Sequence, residues 1–383
     1  MRFDFATANR ILFGPGTVAE VSDVAKTLGC RAFVLHDLSG LAYPLIDQLK
    51  AKGLTPLPCP VHGEPTVQSV LETVRLARDG TCDLVVGMGG GSTLDTGKAV
   101  AALLTNPGIL LDYLEVVGVG RVLEKASAPF IAIPTTAGTG SEVTRNAVIA
   151  VPEKRVKVSL RSPHLLPRLA VVDPELTYSL PPEITASTGF DALTQCIEPF
   201  VCNSPNPVTD AVCREGIRRT VRSLQRAYVN GNDAEAREDM SLASLLGGMA
   251  LTNARLGAVH GFAGPLGGMF PAPHGAICAR LLPFVMEANI RALRKRGQNS
   301  LALDRYTEIA NIMTGNTLAK VEDGTRWVQK LVQSLKILPL ATYGMSKADI
   351  PAIIDQARMA SSMKGNPVEL KEEELIEILE EAI

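Results

Sequence analysis

Strand-like and helix-like segments alternate through the first 180 residues, and this alternation constrains the fold more than any other feature. Segments with helical spacing, such as 66–78 and 96–104, separate runs that are rich in β-forming residues. Strands that alternate with helices favour a mostly parallel sheet covered by helices on both faces. Two further runs, 148–151 and 156–160, predict a hairpin added to that sheet. The β-rich runs of the sheet itself are 31–36, 83–87, 130–134 and 169–173.

The rest of the chain has a different pattern. Beyond about residue 180 no run predicts a strand, and segments such as 233–250, 300–313 and 372–383 have helical periodicity with charged outer faces. A chain of 383 residues is also too long for a single core. We therefore expect an α/β domain over 1–180 and an all-helical domain over 181–383.

Composition excludes several classes of function. Lys and Arg number 38 against 40 Asp and Glu, and this balance argues against nucleic acid or an anionic membrane as the main partner. No stretch of about 18 apolar residues predicts a membrane span, and the amino terminus has no signal-peptide pattern. The seven cysteines are scattered without a CxxC pair, which is typical of reduced thiols in a cytoplasmic protein.

A glycine-rich turn is the sharpest local signal in the first half. The buried run 83–87 leads into Gly89, Gly90 and Gly91, which are followed by Ser92 and a helix. Glycines allow a tight turn and a close approach of the backbone to a ligand, and a helix start favours an anion. The turn therefore predicts a phosphate site, although it matches neither GxGxxG nor GxxxxGK[ST]. A plain strand-to-helix turn is the alternative.

Two further features point to the same edge of the predicted sheet. The stretch 135–142, rich in Thr, Ser and Gly, follows the strand 130–134, and Asp37 follows the strand 31–36. Loops at the carboxyl ends of strands are where α/β folds bind ligands, and an acidic residue there can accept hydrogen bonds from a ribose. An ordinary loop and a turn cap, respectively, are the alternatives.

The chemistry of the second half centres on two histidines and one carboxylate. His260 and His274 lie in apolar surroundings, and the glycines and prolines between them are expected to break any helix, so that the second can fold back towards the first. Asp191 and Gln195 are one helical turn apart and share a face. Asp with two His is a sound three-ligand metal set. A satisfied core or capping histidine is the alternative for either imidazole.

With these motifs in view, the whole chain resembles the iron-containing (group III) alcohol dehydrogenases, which share a fold with glycerol dehydrogenase and dehydroquinate synthase. The resemblance implies that fold, with 1–180 binding a dinucleotide and 181–383 binding metal and carrying catalysis. The motifs that carry it are GGGSTLD (89–95), PTTAGTGSEVT (134–144), VVDPELTYSLP (171–181), STGFDALTQCIE (187–198) and GAVHGFAGPLGGMFPAPHG (257–275).

The resemblance also implies roles for single residues. Asp191, His260 and His274 fall on three of four metal ligands and are the expected catalytic residues. Asp37 falls where relatives that prefer NAD carry an acidic residue. The remaining expected cofactor-binding residues are Gly89, Gly90, Gly91, Ser92, Asp95, Thr135, Thr136, Thr139, Ser141 and Lys157.

Two positions depart from the family pattern. Gln195 stands where the family has a fourth histidine ligand, and its amide oxygen is a weaker ligand than imidazole. Gly264 stands where the family has a histidine linked to cofactor contact and proton transfer. We therefore expect weak Fe²⁺ binding or a three-ligand zinc site, with loss of the metal, as in the related maleylacetate reductases, as the alternative.

The expected activity is NAD(H)-dependent interconversion of a small alcohol and its aldehyde or ketone, by metal-assisted hydride transfer. A metal-free reductase of the maleylacetate-reductase type and a non-catalytic nucleotide-binding relative are the alternatives. A lyase of the dehydroquinate-synthase type is disfavoured, because the expected cleft has too few basic residues for a phosphorylated substrate. We expect no nucleic-acid or membrane partner. The resemblance implies a homo-oligomer, a dimer or larger.

Overall fold

The computed structural model describes residues 2–297 and 300–383, which form two compact units. One unit is Ala6–Ser179, and the other contains Leu180–Ile383 together with the first residues up to Phe5. All strands among the described residues lie in the first unit, and the second is built from helices. The expected fold class, an α/β region followed by a helical one, is confirmed.

The first unit is built on eight strands and five α-helices among its described residues. The strands are β1 (Ile11–Phe13), β2 (Arg31–His36), β3 (Thr55–Pro60), β4 (Leu84–Gly89), β5 (Phe130–Pro134), β6 (Asn146–Val151), β7 (Val156–Arg161) and β8 (Leu169–Val172). The helices are α1 (Val21–Leu28), α2 (Tyr43–Ala51), α3 (Val67–Asp79), α4 (Gly91–Thr105) and α5 (Leu110–Tyr113).

Six of the strands form one sheet in the order β1-β8-β5-β4-β2-β3, and each neighbouring pair is parallel. The four runs predicted as sheet strands are all present, whereas β1 and β3 were missed. β3 has the sequence TPLPCP, and its prolines remove the donors that a central strand needs. It is tolerated because it lies at an edge and pairs with β2 alone.

The sheet is covered on both faces by apolar side chains. Successive residues of a strand point to opposite faces, so Phe33 and Leu35 enter one buried cluster while Ala32 and Val34 enter the other. A parallel sheet buried on both faces reads as continuous apolar runs. This explains why the strand positions were visible in the sequence.

The prediction that the hairpin joins this sheet is wrong. β6 and β7 pair antiparallel as a separate two-stranded sheet, linked to the region before α3 by one bridge between Thr66 and Ala150. Two of its main-chain groups bond to side chains of α4 instead. Lys98 donates to the Asn146 carbonyl at 2.8 Å, and Asp95 accepts from a backbone N–H of β6 at 2.9 Å.

The helical unit has nine α-helices among its described residues. Buried Arg237 of α8 ties this helix to the start of α6, since it donates to Thr185 Oγ1 at 2.8 Å and to the Leu180 carbonyl at 3.2 Å. The helices are α6 (Pro182–Val201), α7 (Pro207–Val229), α8 (Ala234–Asn253), α9 (Ala258–Met269), α10 (His274–Arg296), α11 (Ser300–Thr314), α12 (Val321–Ser334), α13 (Ile350–Met359) and α14 (Glu372–Ala382).

Within the described parts of the chain, no single helix has the length and apolar character needed to cross a membrane. Among the described helices, only α8 and α9 taken together have that length and apolar character, and they are bent by 99° at the break between them.

Candidate functional site

The glycine turn lies where β4 ends and α4 begins. Gly89 closes the strand, Gly90 precedes the helix, and Gly91 is its first residue. Among the described side chains, none caps this helix start. The N–H groups of the first turn and the positive end of the helix dipole are therefore available to an anion.

The polar loop after β5 packs against this turn. A Cβ placed on Gly91 would lie 2.8 Å from Thr139 Cγ2, which is closer than real Cβ contacts come. Glycine is thus required for the two loops to touch. The Thr135 N–H also donates to the Gly89 carbonyl at 3.1 Å, and Thr136 Cγ2 would lie 3.4 Å from a Cβ placed on Gly90.

Asp37 directly follows β2, the strand beside β4. Its carboxylate accepts hydrogen bonds from Thr135 Oγ1 at 2.8 Å and from the Ser39 N–H at 2.9 Å. The chain crosses from β2 outward to β3, but from β4 to β5 in the opposite direction. Such a reversal is the switch point at which open α/β sheets bind ligands, and Asp37 and the glycine turn flank it.

A buried lysine that the sequence analysis did not single out organises the polar loop. Lys98 Nζ donates to Ser141 Oγ at 2.6 Å and to Thr144 Oγ1 at 2.7 Å. Ser141 Oγ in turn donates to Asp95 at 2.6 Å. Asp95 and Ser141 therefore hold the loop on α4, and contact of either with a cofactor stays a prediction. The available signal was a lysine within the apolar helical stretch TGKAVAALL.

Glu142 is the second buried ionisable group of this loop. Burial raises the pKa of Glu142 to about 7, although the nearby Lys98 opposes the shift. Burial also lowers the pKa of Lys98, against the attraction of Asp95 and Glu142. Lys157, on β7, forms an ion pair with Glu64 at 2.5 Å, and its predicted role near a cofactor is likewise untested.

Three helices of the second unit bring together the predicted metal ligands. Asp191 lies on α6, His260 on α9, and His274 is the first residue of α10. Asp191 Oδ1 lies 3.5 Å from His260 Nε2 and 3.6 Å from His274 Nε2. Cys278, one turn further along α10, completes a group whose ligand atoms all lie within 4.8 Å of one another.

A second carboxylate that the sequence analysis missed orients one imidazole. Glu198 accepts a hydrogen bond from His260 Nδ1 at 2.6 Å and from the Val259 N–H at 2.7 Å. With one proton on Nδ1, His260 has Nε2, the nitrogen that faces Asp191, as its potential ligand atom. An outer carboxylate that fixes the tautomer in this way is the usual support of a metal-binding histidine. The available signal was the spacing of seven residues between Asp191 and Glu198, which places both on one face of α6.

These donor atoms fit a cation. Asp191 Oδ1 is buried and has no hydrogen-bond partner among the described residues. The same is true of Gln195 Oε1. The distances from Asp191 Oδ1 to the imidazole nitrogens are too long for hydrogen bonds. An unsatisfied buried oxygen is costly, and a metal ion among one carboxylate and two imidazoles removes that cost. Oxygen, nitrogen and sulfur donors together suit Zn²⁺ or Fe²⁺.

The ionisation of the two acidic groups of the cluster favours their ligand forms, whereas the pKa of each imidazole is raised, against burial, by nearby negative charge, so that a metal ion must displace a proton from it. Burial by itself would raise the pKa of Asp191, but His274 and His260 outweigh burial and hold the pKa below its ordinary value. Burial likewise opposes ionisation of Cys278, yet the same two imidazoles lower the pKa of this thiol. By contrast, burial raises the pKa of Cys196, on α6, to about 12.

The prediction that glycines and prolines break every helix between the two histidines is wrong. α9 continues to Met269 and includes Pro265, because its apolar residues are buried and tertiary packing overrides local propensity. The break comes only at 270–273. Gly264 lies one turn beyond His260, and a Cβ there would meet no heavy atom within 4 Å.

The structure thus brings Asp191, His260 and His274 together in one unit, with Gln195 one turn along α6, where its side chain helps to lower the pKa of Asp191. In the other unit, the glycine turn, the polar loop and Asp37 meet at one edge of the sheet. Cys278, Glu198 and Lys98 are the additions that sequence reasoning missed. The roles of all these residues in binding and catalysis stay predictions.

Comparison with known proteins identifies the family. The family named iron-containing alcohol dehydrogenase matches residues 8–174, and its C-terminal counterpart, Fe-containing alcohol dehydrogenase family, C-terminal, matches residues 185–383. Alcohol dehydrogenase 4 of Schizosaccharomyces pombe is 36% identical over 379 residues, which cover 97% of this chain and 87% of that protein.

Solved structures agree over the full length. A crystal structure of 1,3-propanediol oxidoreductase matches with a TM-score of 0.92 and 32% identity, covering 100% of both chains. Sulfoacetaldehyde reductase from Bifidobacterium kashiwanohense, in complex with NAD⁺, matches with a TM-score of 0.87 and 29% identity, covering 100% of this chain and 99% of that one. The chain therefore belongs to the iron-containing alcohol dehydrogenase family.

Proposed function

We propose that the protein is an NAD(H)-dependent oxidoreductase that interconverts a small alcohol and its aldehyde or ketone with the help of a divalent metal ion. The observation that carries this proposal is the convergence of Asp191 Oδ1, His260 Nε2 and His274 Nε2, with the carboxylate oxygen buried and lacking a hydrogen-bond donor. The names of the relatives, alcohol dehydrogenase and 1,3-propanediol oxidoreductase, support a small alcohol as substrate.

Asp191, His260 and His274 would hold the metal ion. A divalent ion at such a site supplies Lewis acidity, which lowers the pKa of an alcohol and stabilises developing negative charge on the substrate oxygen. Glu198 keeps the proton on His260 Nδ1 and so leaves Nε2 free as a ligand. At position 264 this chain offers no proton-transferring side chain, and the space beside it is open.

The α/β unit would bind the dinucleotide. The backbone N–H groups of Gly91 and Ser92 and the dipole of α4 would hold the pyrophosphate, which carries negative charge. The Asp37 carboxylate would accept hydrogen bonds from the adenosine ribose and repel a 2′-phosphate. NAD⁺ bound to sulfoacetaldehyde reductase supports the choice of this cofactor. The proposed set is completed by Gly89, Gly90, Asp95, Thr135, Thr136, Thr139, Ser141 and Lys157.

Two further parts of the proposal concern the cell and the assembly. All seven cysteines are free, which supports a reducing compartment such as the cytoplasm. A homo-oligomer, dimer or larger, is proposed from the family. Size-exclusion chromatography with light scattering tests this directly.

The decisive experiment is elemental analysis of protein purified without chelator, combined with NAD-linked activity on short alcohols before and after EDTA. We expect one equivalent of zinc or iron and loss of activity on chelation. Activity without metal would favour a metal-free reductase, for which Gln195 at the family's histidine position is the supporting feature. Protein with neither metal nor activity would favour a non-catalytic relative.

Asp37→Ser tests the cofactor assignment. Removing the carboxylate removes its repulsion of a 2′-phosphate, and we expect the ratio of kcat/KM for NAD to that for NADP to fall by about 10- to 100-fold, since like charges cost a few kcal/mol. Asp47→Asn, an exposed change on α2, is the matched control. An unchanged ratio would remove Asp37 from the cofactor site.

A further inference from the structure

We propose that Cys278 is a fourth protein ligand of the metal ion, so that this site consists of one carboxylate, two imidazoles and one thiolate. The inference rests on the proposed function for the existence of the metal site and adds to it the identity of a ligand. Cys278 stands outside the family pattern of ligands, in which the fourth position, here Gln195, is a histidine.

The distances from Cys278 to the two imidazoles approach those of a coordination sphere. Its Sγ lies 3.7 Å from His274 Nε2 and 4.0 Å from His260 Nε2. A tetrahedral ion with bonds of about 2.0 Å to nitrogen and about 2.3 Å to sulfur needs N···S separations of roughly 3.6 Å. The N···O separations of 3.5 and 3.6 Å are close to the roughly 3.4 Å that the same ion needs.

The local structure directs the thiol into the cluster. His274 and Cys278 are four residues apart on α10 and therefore lie on one face of the helix. Cys278 is fully buried, so its Sγ has no access to bulk water. Among the described residues, it is the one cysteine that belongs to a group of three or more potential metal ligands.

Gln195 is less suited to the fourth position. A Cβ placed on Gly247 of α8 would lie 3.5 Å from its Oε1. The oxygen thus lies against α8. A thiolate also supplies the second negative charge that balances a divalent ion beside Asp191, and it is a softer donor that suits zinc.

X-ray absorption spectroscopy of the zinc-loaded full-length protein tests the proposal without any variant. We expect one sulfur scatterer at about 2.3 Å together with nitrogen and oxygen scatterers at about 2.0 Å. The Co²⁺-substituted protein should also show a thiolate-to-metal charge-transfer band in the near ultraviolet. A first shell of nitrogen and oxygen alone would overturn the proposal.

Cys278→Ser supplies the matched variant, with Cys196→Ser as a buried control cysteine in the same unit. We expect zinc affinity, measured by chelator competition, to fall more than about 100-fold in Cys278→Ser. This loss exceeds the roughly 10- to 100-fold loss of affinity that is typical when a residue that only hydrogen-bonds to a ligand is replaced. The charge-transfer band should vanish in Cys278→Ser and persist in Cys196→Ser. Unchanged affinity and an unchanged band in folded Cys278→Ser would overturn the assignment.

These measurements separate the ligand from the activity. Sulfur coordination in a protein without dehydrogenase activity would uphold the ligand and contradict the proposed function. NAD-linked activity in a protein whose metal lacks sulfur, or that binds no metal, would overturn the ligand and leave the dehydrogenase assignment standing.

Discussion

The two units build their candidate sites from different parts of the chain. In the α/β unit, the glycine turn, the polar loop and Asp37 follow three strands that are neighbours in the sheet, and the start of α4 offers uncapped backbone N–H groups. In the helical unit, Asp191, His260 and His274 come from three helices and contribute side-chain atoms alone. The glycine turn requires that Gly91 carry no side chain, because a Cβ would clash with Thr139. The metal cluster requires that single side-chain atoms be held at fixed positions.

Asp191→Ala should have the largest effect and separate the two sites. Loss of the carboxylate removes a ligand, and metal assistance contributes several kcal/mol, so kcat/KM should fall by about 10³-fold or more. Metal content should fall in parallel. The affinity for NADH, measured by fluorescence titration, should not change. Asp355→Asn, an exposed change on α13, is the control. Full activity in metal-free Asp191→Ala would contradict the role of the cluster.

Glu142→Gln tests whether the α/β unit, too, depends on a buried side chain. The folded pKa of Glu142, about 7, exceeds the ordinary 4.5, so the folded state binds more protons between these values. The free energy of unfolding should therefore fall as pH rises from 4.5 to 7, by up to about 3 kcal/mol from this group. Glu142→Gln should lose this decline.

Melting temperatures at pH 5 and pH 8 measure the effect, with Glu153→Gln, an exposed change in the hairpin turn, as the control. An equal pH dependence in wild type and Glu142→Gln would show that Glu142 does not titrate differently on folding.

Glu198→Gln should weaken the metal site without replacing any of its proposed ligands. If the new carbonyl accepts from the Val259 N–H, the amide NH₂ faces His260 Nδ1 and drives the imidazole proton onto Nε2. Metal affinity should fall by about 10- to 100-fold. Chelator competition measures this, with Glu287→Gln, an exposed change on α10, as the control. An unchanged affinity would mean that Glu198 does not set the tautomer.

Gly91→Ala should have the smallest effect and should alter only the proposed cofactor site of the α/β unit. The new Cβ meets Thr139 Cγ2 at 2.8 Å, and the strain of about 1 to 2 kcal/mol should raise KM for NAD roughly tenfold with metal content unchanged. Adding Thr139→Ser removes that methyl group and should restore part of the loss. If KM is normal in Gly91→Ala, the turn does not approach the cofactor.

Short sequence patterns predicted those parts of the structure that residues close together in the chain determine. The four inner strands of the sheet were visible because both of their faces are buried, and the glycine turn because a strand must end and a helix begin within a few residues. β3 was missed because its prolines exclude a central strand but not an edge. The hairpin was assigned to the wrong sheet because its partners, Asp95 and Lys98, lie on α4.

By itself, the sequence determined the order of elements, the glycine turn and the donors Asp191, His260 and His274. The fold decided which other side chains join them, since Cys278 and Glu198 become partners of His260 only when α6, α9 and α10 pack together. It also preserved α9 through Gly264 and Pro265, against their local preference. Strand and helix periodicity and turns arise from neighbours in sequence, whereas contacts between helices depend on burial that no local pattern contains.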